Sequence, residues 1–310
     1  MKRLPAYLAA LFTGALLLSM NDCKTTHASD GRPAVLHFAY SAQSEELMGG
    51  GLRNKLIREY LQKQLHIPIE VVKVEGYAST IEAMRAEKID ISNFGPLAYI
   101  IAAQKAGAEA IVGRGYPDGT LGGYPSVIAV PKNSPIHSIE DMKAHAKDLV
   151  FAFSDPASTS GNLYPRVGLL QMGINPEQDF KKVIYAGSHI AAIMTVKSGK
   201  VDVGAYQGNF TKRLVEKGKM KPDDNRVIWT SEPIPNSCYA VRKALPEQLK
   251  KDIQAALLAI PTKDPELWAH LTSLQGNINS GTVNVAVNDA TYDRLRKYAS
   301  QVKDFNFVEK

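Results

Sequence analysis

The chain has 310 residues, 45% hydrophobic and 22% charged, which is material for two ordinary domains and excludes a disordered or fibrous polypeptide. Its formal net charge is +6, and Lys2, Arg3 and Lys24 against Asp22 lie in the first 28 residues, leaving about +4 elsewhere. Lysine and arginine are scattered as on a solvated surface, with no basic stripe interleaved with aromatics, so nucleic acid is excluded as a partner and a small anion suits the balance.

The N-terminus reads as a targeting segment. Lys2 and Arg3 form a basic start, and residues 7–18 are apolar but too short to span a bilayer comfortably. Thr26-His27-Ala28 offers a small-x-small cleavage site, so a signal peptide over 1–28 and export to the periplasm are expected. Lipidation at Cys23 is the second choice, because Met20-Asn21-Asp22 makes a poor lipoprotein box. With Cys23 removed, Cys238 stands alone, and no CxxC or His/Cys cluster with zinc spacing is present, so neither disulfide, metal nor cofactor is expected.

Strands are predicted at 36–40, 69–74, 89–94 and 110–113, alternating with helical periodicity over 52–65, 77–85 and 97–106. A loop with three glycines fills 41–51, and 115–123 reads as a mobile glycine-rich loop. The apolar run 125–131 reads as a crossing strand into a second lobe. Ser138-Ile139-Glu140-Asp141 resembles a capped helix start. Strands follow at 149–153, 183–186 and 201–206, with a helix over 190–198. Residues 227–231, bounded by Pro233 and Pro235, read as the return crossing. A strand at 239–242 and helices over 246–260, 265–274 and 289–301 complete the chain. Short connections between alternating strands and helices imply parallel sheets covered on both faces, with ligands outside the carboxyl ends of the strands. The expected fold is therefore α/β, a two-lobed binding protein of the type II kind with two crossing strands as its hinge. Lobe 1 takes 29–128 plus 232–310, and lobe 2 takes 129–231. A strand-helix-"x-(I/V)-D-(I/V)" pattern recurs at Ile89-Asp90-Ile91 and Val201-Asp202-Val203.

The most informative stretch runs from Ser154 to Arg166, between a buried strand and a helix. Ser158, Thr159 and Ser160 followed by Gly161 exceed what a helix cap needs. Hydroxyls, free amides and the positive end of a helix dipole converge there into a site for a tetrahedral oxyanion. His189 opens a helix at another strand end of the same lobe, where an imidazole N–H can donate to the anion. Tyr77, Tyr124 and Tyr206 are candidate phenolic donors or cleft walls. Asp90 and Asp202 read as structural, and Asp155 before Pro156 as a turn residue. A Ser158-His189-Asp202 triad is conceivable, but no spacing requires it. GxSxG, HExxH, Walker and GxGxxG motifs are absent, so no enzyme is expected.

At Asp155-Pro156-Ala157-Ser158-Thr159-Ser160-Gly161 the chain resembles the periplasmic phosphonate/phosphite/phosphate-binding proteins of ABC importers. The resemblance continues through Gly76-Tyr77-Ala78, Ile91-Ser92-Asn93-Phe94-Gly95-Pro96, Gly123-Tyr124-Pro125-Ser126-Val127, Ala186-Gly187-Ser188-His189 and Val201-Asp202-Val203. It implies a monomer without catalysis that closes on a phosphorus oxyanion and serves a membrane permease and ATPase. By matched position Ser158, Thr159, Ser160 and His189 hold the phosphoryl oxygens, Tyr77 closes from the other lobe, Phe94 stands where some members carry Tyr, and Tyr99 matches another tyrosine. Members that bind aminoethylphosphonate resemble each other in two acidic residues for the ammonium. The matching positions here are Asn209 and Ser237, both uncharged, which points to phosphite, an alkylphosphonate or phosphate. Alternative expectations are a sulfonate-binding protein and a periplasmic input protein for a separate kinase.

Overall fold

The computed structural model describes residues 31–41, 50–274 and 281–302. The expected signal peptide, Cys23 and most of the loop expected over 41–51 lie outside the described residues. Two sheets form the two lobes. The first comprises β1 (Leu36–Ser41), β2 (Ile69–Val74), β3 (Ile91–Phe94), β4 (Ala108–Gly115), β12 (Cys238–Arg242) and β13 (Val283–Ala286), in the order β13-β4-β12-β3-β1-β2. The second comprises β6 (Ser126–Pro131), β7 (Val150–Phe153), β8 (Lys182–Tyr185), β9 (Val203–Gln207) and β10 (Asn225–Thr230), in the order β10-β6-β9-β7-β8. Both sheets bury both faces, as sheets with parallel centres must. Leu36 and Phe38 face one core and Ala39 the other; Phe151 and Phe153 face one core and Ala152 the other.

The first lobe carries helices α1 (Gly50–Leu65), α2 (Gly76–Arg85) and α3 (Pro96–Ala106). The second carries α4 (Ile139–His145), α5 (Tyr164–Gln171), α6 (Pro176–Asp179), α7 (His189–Lys197) and α8 (Gly208–Glu216). The chain returns to the first lobe for α9 (Glu247–Lys263), α10 (Pro265–Ser273) and α11 (Asp293–Ala299). The capping box expected at Ser138 forms: its hydroxyl accepts from Asp141 N, and the Asp141 side chain reaches back to the cap amide. No helix among the described residues is long and apolar enough to cross a membrane.

The repeated Asp pattern has a structural meaning. Asp90 N donates to His37 O and its carboxylate accepts from His37 N at 2.8 Å. Asp202 N donates to Val150 O and its carboxylate accepts from Val150 N at 2.7 Å. The same two-bond clasp therefore lies at the start of β1 in one lobe and of β7 in the other, and Asp202 is occupied there rather than paired with His189.

Several features differ from the sequence reading. The runs 125–131 and 227–231 are not crossings: β6 lies inside the second sheet, antiparallel to β9, and β10 is its edge. The lobes are joined instead by β5 (Gly123–Tyr124) paired antiparallel with β11 (Ile234–Pro235). This ribbon needs glycine, because a Cβ at Gly123 would stand 3.0 Å from Ile234 O. The sheets accordingly exchange at this ribbon, so residues 126–128 belong with the second sheet and not with lobe 1. The loop 115–123 is not open chain. Tyr116 N donates to Thr120 O, Gly119 N to Tyr116 O, and Gly115 bridges Leu121. The last helical stretch begins as a 3-10 turn over Asp289–Tyr292 before α11.

Candidate functional site

The Ser/Thr stretch leaves β7 at Ser154, which is fully buried. Its Oγ donates to Ala205 O at 2.8 Å, and its amide donates to Gly161 O at 2.8 Å. The turn at Asp155 is closed by its own carboxylate, which accepts from Ala157 N, and by its carbonyl, which accepts from Ser158 N. Ser158 then caps a π-helical turn, Thr159–Leu163, that runs directly into α5; its Oγ accepts from Gly161 N at 2.9 Å. Gly161 has no room for a side chain. A Cβ there would lie 2.4 Å from Ser154 Cβ and 2.9 Å from Ser158 Oγ. The glycine lets both serines close over the turn, which is why the hydroxyls converge. Ser160 is held from behind by Ser126 Oγ, which donates to its carbonyl at 2.6 Å.

His189 opens α7, whose N-cap Ser188 accepts from Ala191 N. Gln207 N lies 3.2 Å from Nδ1 and can only donate, so Nδ1 is the acceptor and the proton of the neutral ring sits on Nε2. Nε2 is 3.3 Å from Ser158 Oγ. Ser158 Oγ thus accepts from both Gly161 N and His189 Nε2, and its own hydroxyl proton is left to donate. Burial lowers the imidazole pKa to about 4. Protonating Nδ1 would also break the Gln207 bond. At neutral pH this is an uncharged donor held by backbone. Phe210, two residues into α8, packs its ring 5.2 Å from the imidazole centroid.

The opposite wall comes from the first lobe and the ribbon. Leu97 N, at the start of α3, donates to Thr159 Oγ1 at 2.9 Å, so the two lobes are bonded across the cleft. A Cβ at Gly95 would stand 3.9 Å from both Thr159 Oγ1 and the Tyr77 hydroxyl, which places these groups over one point. Burial, with the Asp155 carboxylate opposite, raises the Tyr77 hydroxyl pKa to about 12. Burial raises that of Asp155 as well. Tyr124 sits on the ribbon itself, and its hydroxyl is hydrogen-bonded by the side chains of Thr159 and Ser160. Burial holds it protonated at any ordinary pH.

Six of the expected residues therefore gather: Ser158, Thr159, Ser160, His189, Tyr77 and Tyr124. Three do not. Phe94 is a fully buried core residue of the first lobe. The Tyr99 hydroxyl donates to Asp289 at 2.7 Å in that same core. The Tyr206 hydroxyl accepts from Asn225 Nδ2 at 3.2 Å in the core of the second lobe. Phe94 and Tyr206 stand near strand ends, where alternation turns their side chains into a core, and Tyr99 lies in the first turn of α3, whose buried face carries it into the same core as Phe94. Asn209 lies half-buried in the first turn of α8, beside Phe210, and Ser237 lies half-buried between β11 and β12. The sequence reading missed Ser154, Ser126, the amides of Leu97 and Gln207, and Phe210. Backbone donors leave no residue-type signal, while Ser154 and Ser126 stood in quoted motifs but looked like strand ends. The scattered-cation reading also needs correction: Arg114 is 9% exposed and Arg166 is 7% exposed.

A profile of the family "ABC transporter, phosphonate, periplasmic substrate-binding protein" matches residues 52–292. The chain is 32% identical over 201 residues to the phosphate-import protein PhnD of Mycolicibacterium smegmatis, covering 62% of this chain and 61% of that protein. It is 33% identical over 193 residues to the phosphonates-binding periplasmic protein of Escherichia coli, covering 62% of this chain and 56% of that protein. The alignments thus span less than two thirds of either relative. In fold it is similar to a crystal structure of a binding-protein component of an ABC phosphonate transporter from Pseudomonas aeruginosa. That likeness has a TM-score of 0.75 and 24% identity, over 87% of this chain and 89% of that one.

Proposed function

Because the chain belongs to the family of periplasmic phosphonate substrate-binding proteins of ABC transporters, we propose that it captures a phosphorus oxyanion by lobe closure and delivers it to a permease and ATPase. The observation that carries this reading is the Ser158 hydroxyl. Its oxygen accepts from the buried Gly161 amide and from His189 Nε2, so its proton is presented to the cleft beside an uncharged His189. Around it Thr159, Ser160, Tyr77 and Tyr124 add hydroxyls, and the amides at the start of the Thr159 turn add donors without intrahelical partners. Such a set holds a tetrahedral anion by hydrogen bonds to its charge, each worth about 1.5–3 kcal/mol.

The cargo in this reading is phosphite, an alkylphosphonate or phosphate, without an amine, since Asn209 and Ser237 supply no charge for an ammonium. The protein works as a monomer, exported with cleavage after Ala28. Titration calorimetry against phosphite, phosphate, methylphosphonate, aminoethylphosphonate and methanesulfonate tests it. Tight binding of one phosphorus compound over the sulfonate is expected. Preference for aminoethylphosphonate would refute the amine argument, and silence with every phosphorus compound would refute the reading.

A further inference from the structure

Arg166 is buried but meets Glu177 and the Asn162 side chain, and Arg242 meets Asp90 and Glu87. Arg114 and Arg53 are different. Arg114 leaves the cleft end of β4 and stacks on Trp268, with its Cζ 4.6 Å from the ring centroid. Its Nη1 reaches the Thr282 hydroxyl at 3.4 Å, but its Nη2 is buried with no hydrogen-bond partner. Arg53, in the first turn of α1, lies over Tyr239 with its Cζ 5.7 Å from the ring, and its Nε is likewise buried without a partner. The Tyr239 hydroxyl is buried without one as well. Among the described residues neither arginine meets a carboxylate. Burial, and after it the charge of Arg53 close to both, lowers the Arg114 pKa to about 9 and that of Arg213 to about 10. Arg213 comes from α8 of the other lobe, with Glu216 as its acidic neighbour. Its Nη2 points at Leu274 O at 3.5 Å and its Cζ lies 5.5 Å from the Phe210 ring.

Grouping like charges away from water is costly unless an opposite charge joins them. The place adjoins the oxyanion site, because the Phe210 ring packs against both the His189 imidazole and the Arg213 guanidinium. The three guanidinium groups also come from both lobes, so an anion between them would bond the lobes together. We propose that the cargo carries a second anionic group, and that Arg53, Arg114 and Arg213 receive it beyond Phe210 while Ser158 and His189 hold the phosphoryl head. The chemical class is a short-chain phosphonate ending in a carboxylate. This rests on the phosphorus-oxyanion reading above and narrows it.

The test compares 3-phosphonopropionate with propylphosphonate, which lacks the carboxylate, by calorimetry on the wild-type protein and on the Arg53→Gln and Arg213→Gln variants. The readout is the ratio of the two Kd values within each protein, which cancels any shared effect of a substitution on folding. The wild-type ratio is expected to favour the carboxylate by about tenfold or more, as a charge-assisted hydrogen bond requires. It should fall below about threefold in each variant. Equal affinities in the wild type, or a preference that survives both substitutions, overturns the inference and leaves the arginines as packing on aromatic rings. Binding of phosphite with neither longer compound also overturns it, by closing the cleft to a tail. No binding of phosphite or of either phosphonate overturns the phosphorus reading itself, and the inference with it.

Discussion

Replacing Ser158 with Ala removes one oxygen that serves two purposes, and the two are separable. In the free protein Ser158 Oγ accepts from Gly161 N at 2.9 Å, so the substitution strips the cap from the Thr159 turn. That loss is about 0.5–2 kcal/mol of stability. With cargo bound, the hydroxyl proton that neither Gly161 N nor His189 Nε2 consumes is donated to an anionic oxygen. Its removal costs about 1.5–3 kcal/mol. At 1.36 kcal/mol per tenfold, that is a roughly 10–150-fold weaker Kd. Calorimetry with the preferred phosphorus anion reads the second effect, and thermal unfolding without ligand reads the first. A lowered Tm with Kd unchanged within about twofold would refute the reasoning. Ser158 would then be a cap and nothing more, and the donor count at the site would have to be rebuilt without it.

Thr159→Val keeps the shape but removes the acceptor of Leu97 N. The closed state should lose about 1 kcal/mol or more, seen as a larger radius of gyration at saturating ligand in small-angle scattering. Gly161→Ala forces a Cβ to within 2.4 Å of Ser154 Cβ, so stability should fall by about 1–3 kcal/mol in urea denaturation and cargo binding should be lost with the turn. His189 has a folded pKa of about 4 against 6.5 in the unfolded chain, so between these values the unfolded state binds more protons. Stability is therefore full above pH 6.5 and falls as pH drops toward 4, by up to about 3 kcal/mol. His189→Gln should flatten that part of the profile, measured as urea midpoints at both pH values.

Much of the architecture was legible in the sequence because strand and helix periods follow directly from burial. Residues 36–40 and 69–74 are largely apolar runs between turn residues, and 97–102 is apolar all round because the first part of α3 is buried on every side. The crossings were misplaced because β6 and β10 carry the apolar character, whereas the ribbon that joins the lobes is only two residues per strand. No composition signal marks so short a pair. At the site, hydroxyl-rich sequence announced Ser158, Thr159 and Ser160, and helix-start position announced His189. Tyr99 and Tyr206 looked equivalent to Tyr77 by type and place, but their side chains face cores where Asp289 and Asn225 await them. The arginines escaped notice because 53, 114 and 213 are far apart in the chain, and Arg53 bears on the other two only when two lobes and three elements are assembled.

Tyr124 lies on the ribbon that joins the lobes, whereas Leu97 and Tyr77 lie on elements of the first lobe. A point near a pivot travels little for a given rotation, and a point on the long arm travels far. Under the proposed lobe closure, the Tyr124 contact with the Thr159 and Ser160 hydroxyls would persist through opening, while the Leu97–Thr159 bond would form only at the end of the swing. In that proposed closure, cargo would meet the near-axis group first and recruit the distant ones after it. Substitutions near the axis should act on the strength of first capture, and substitutions on the arm on how long the jaws stay shut. A membrane partner that tests for shut jaws would register only the second kind.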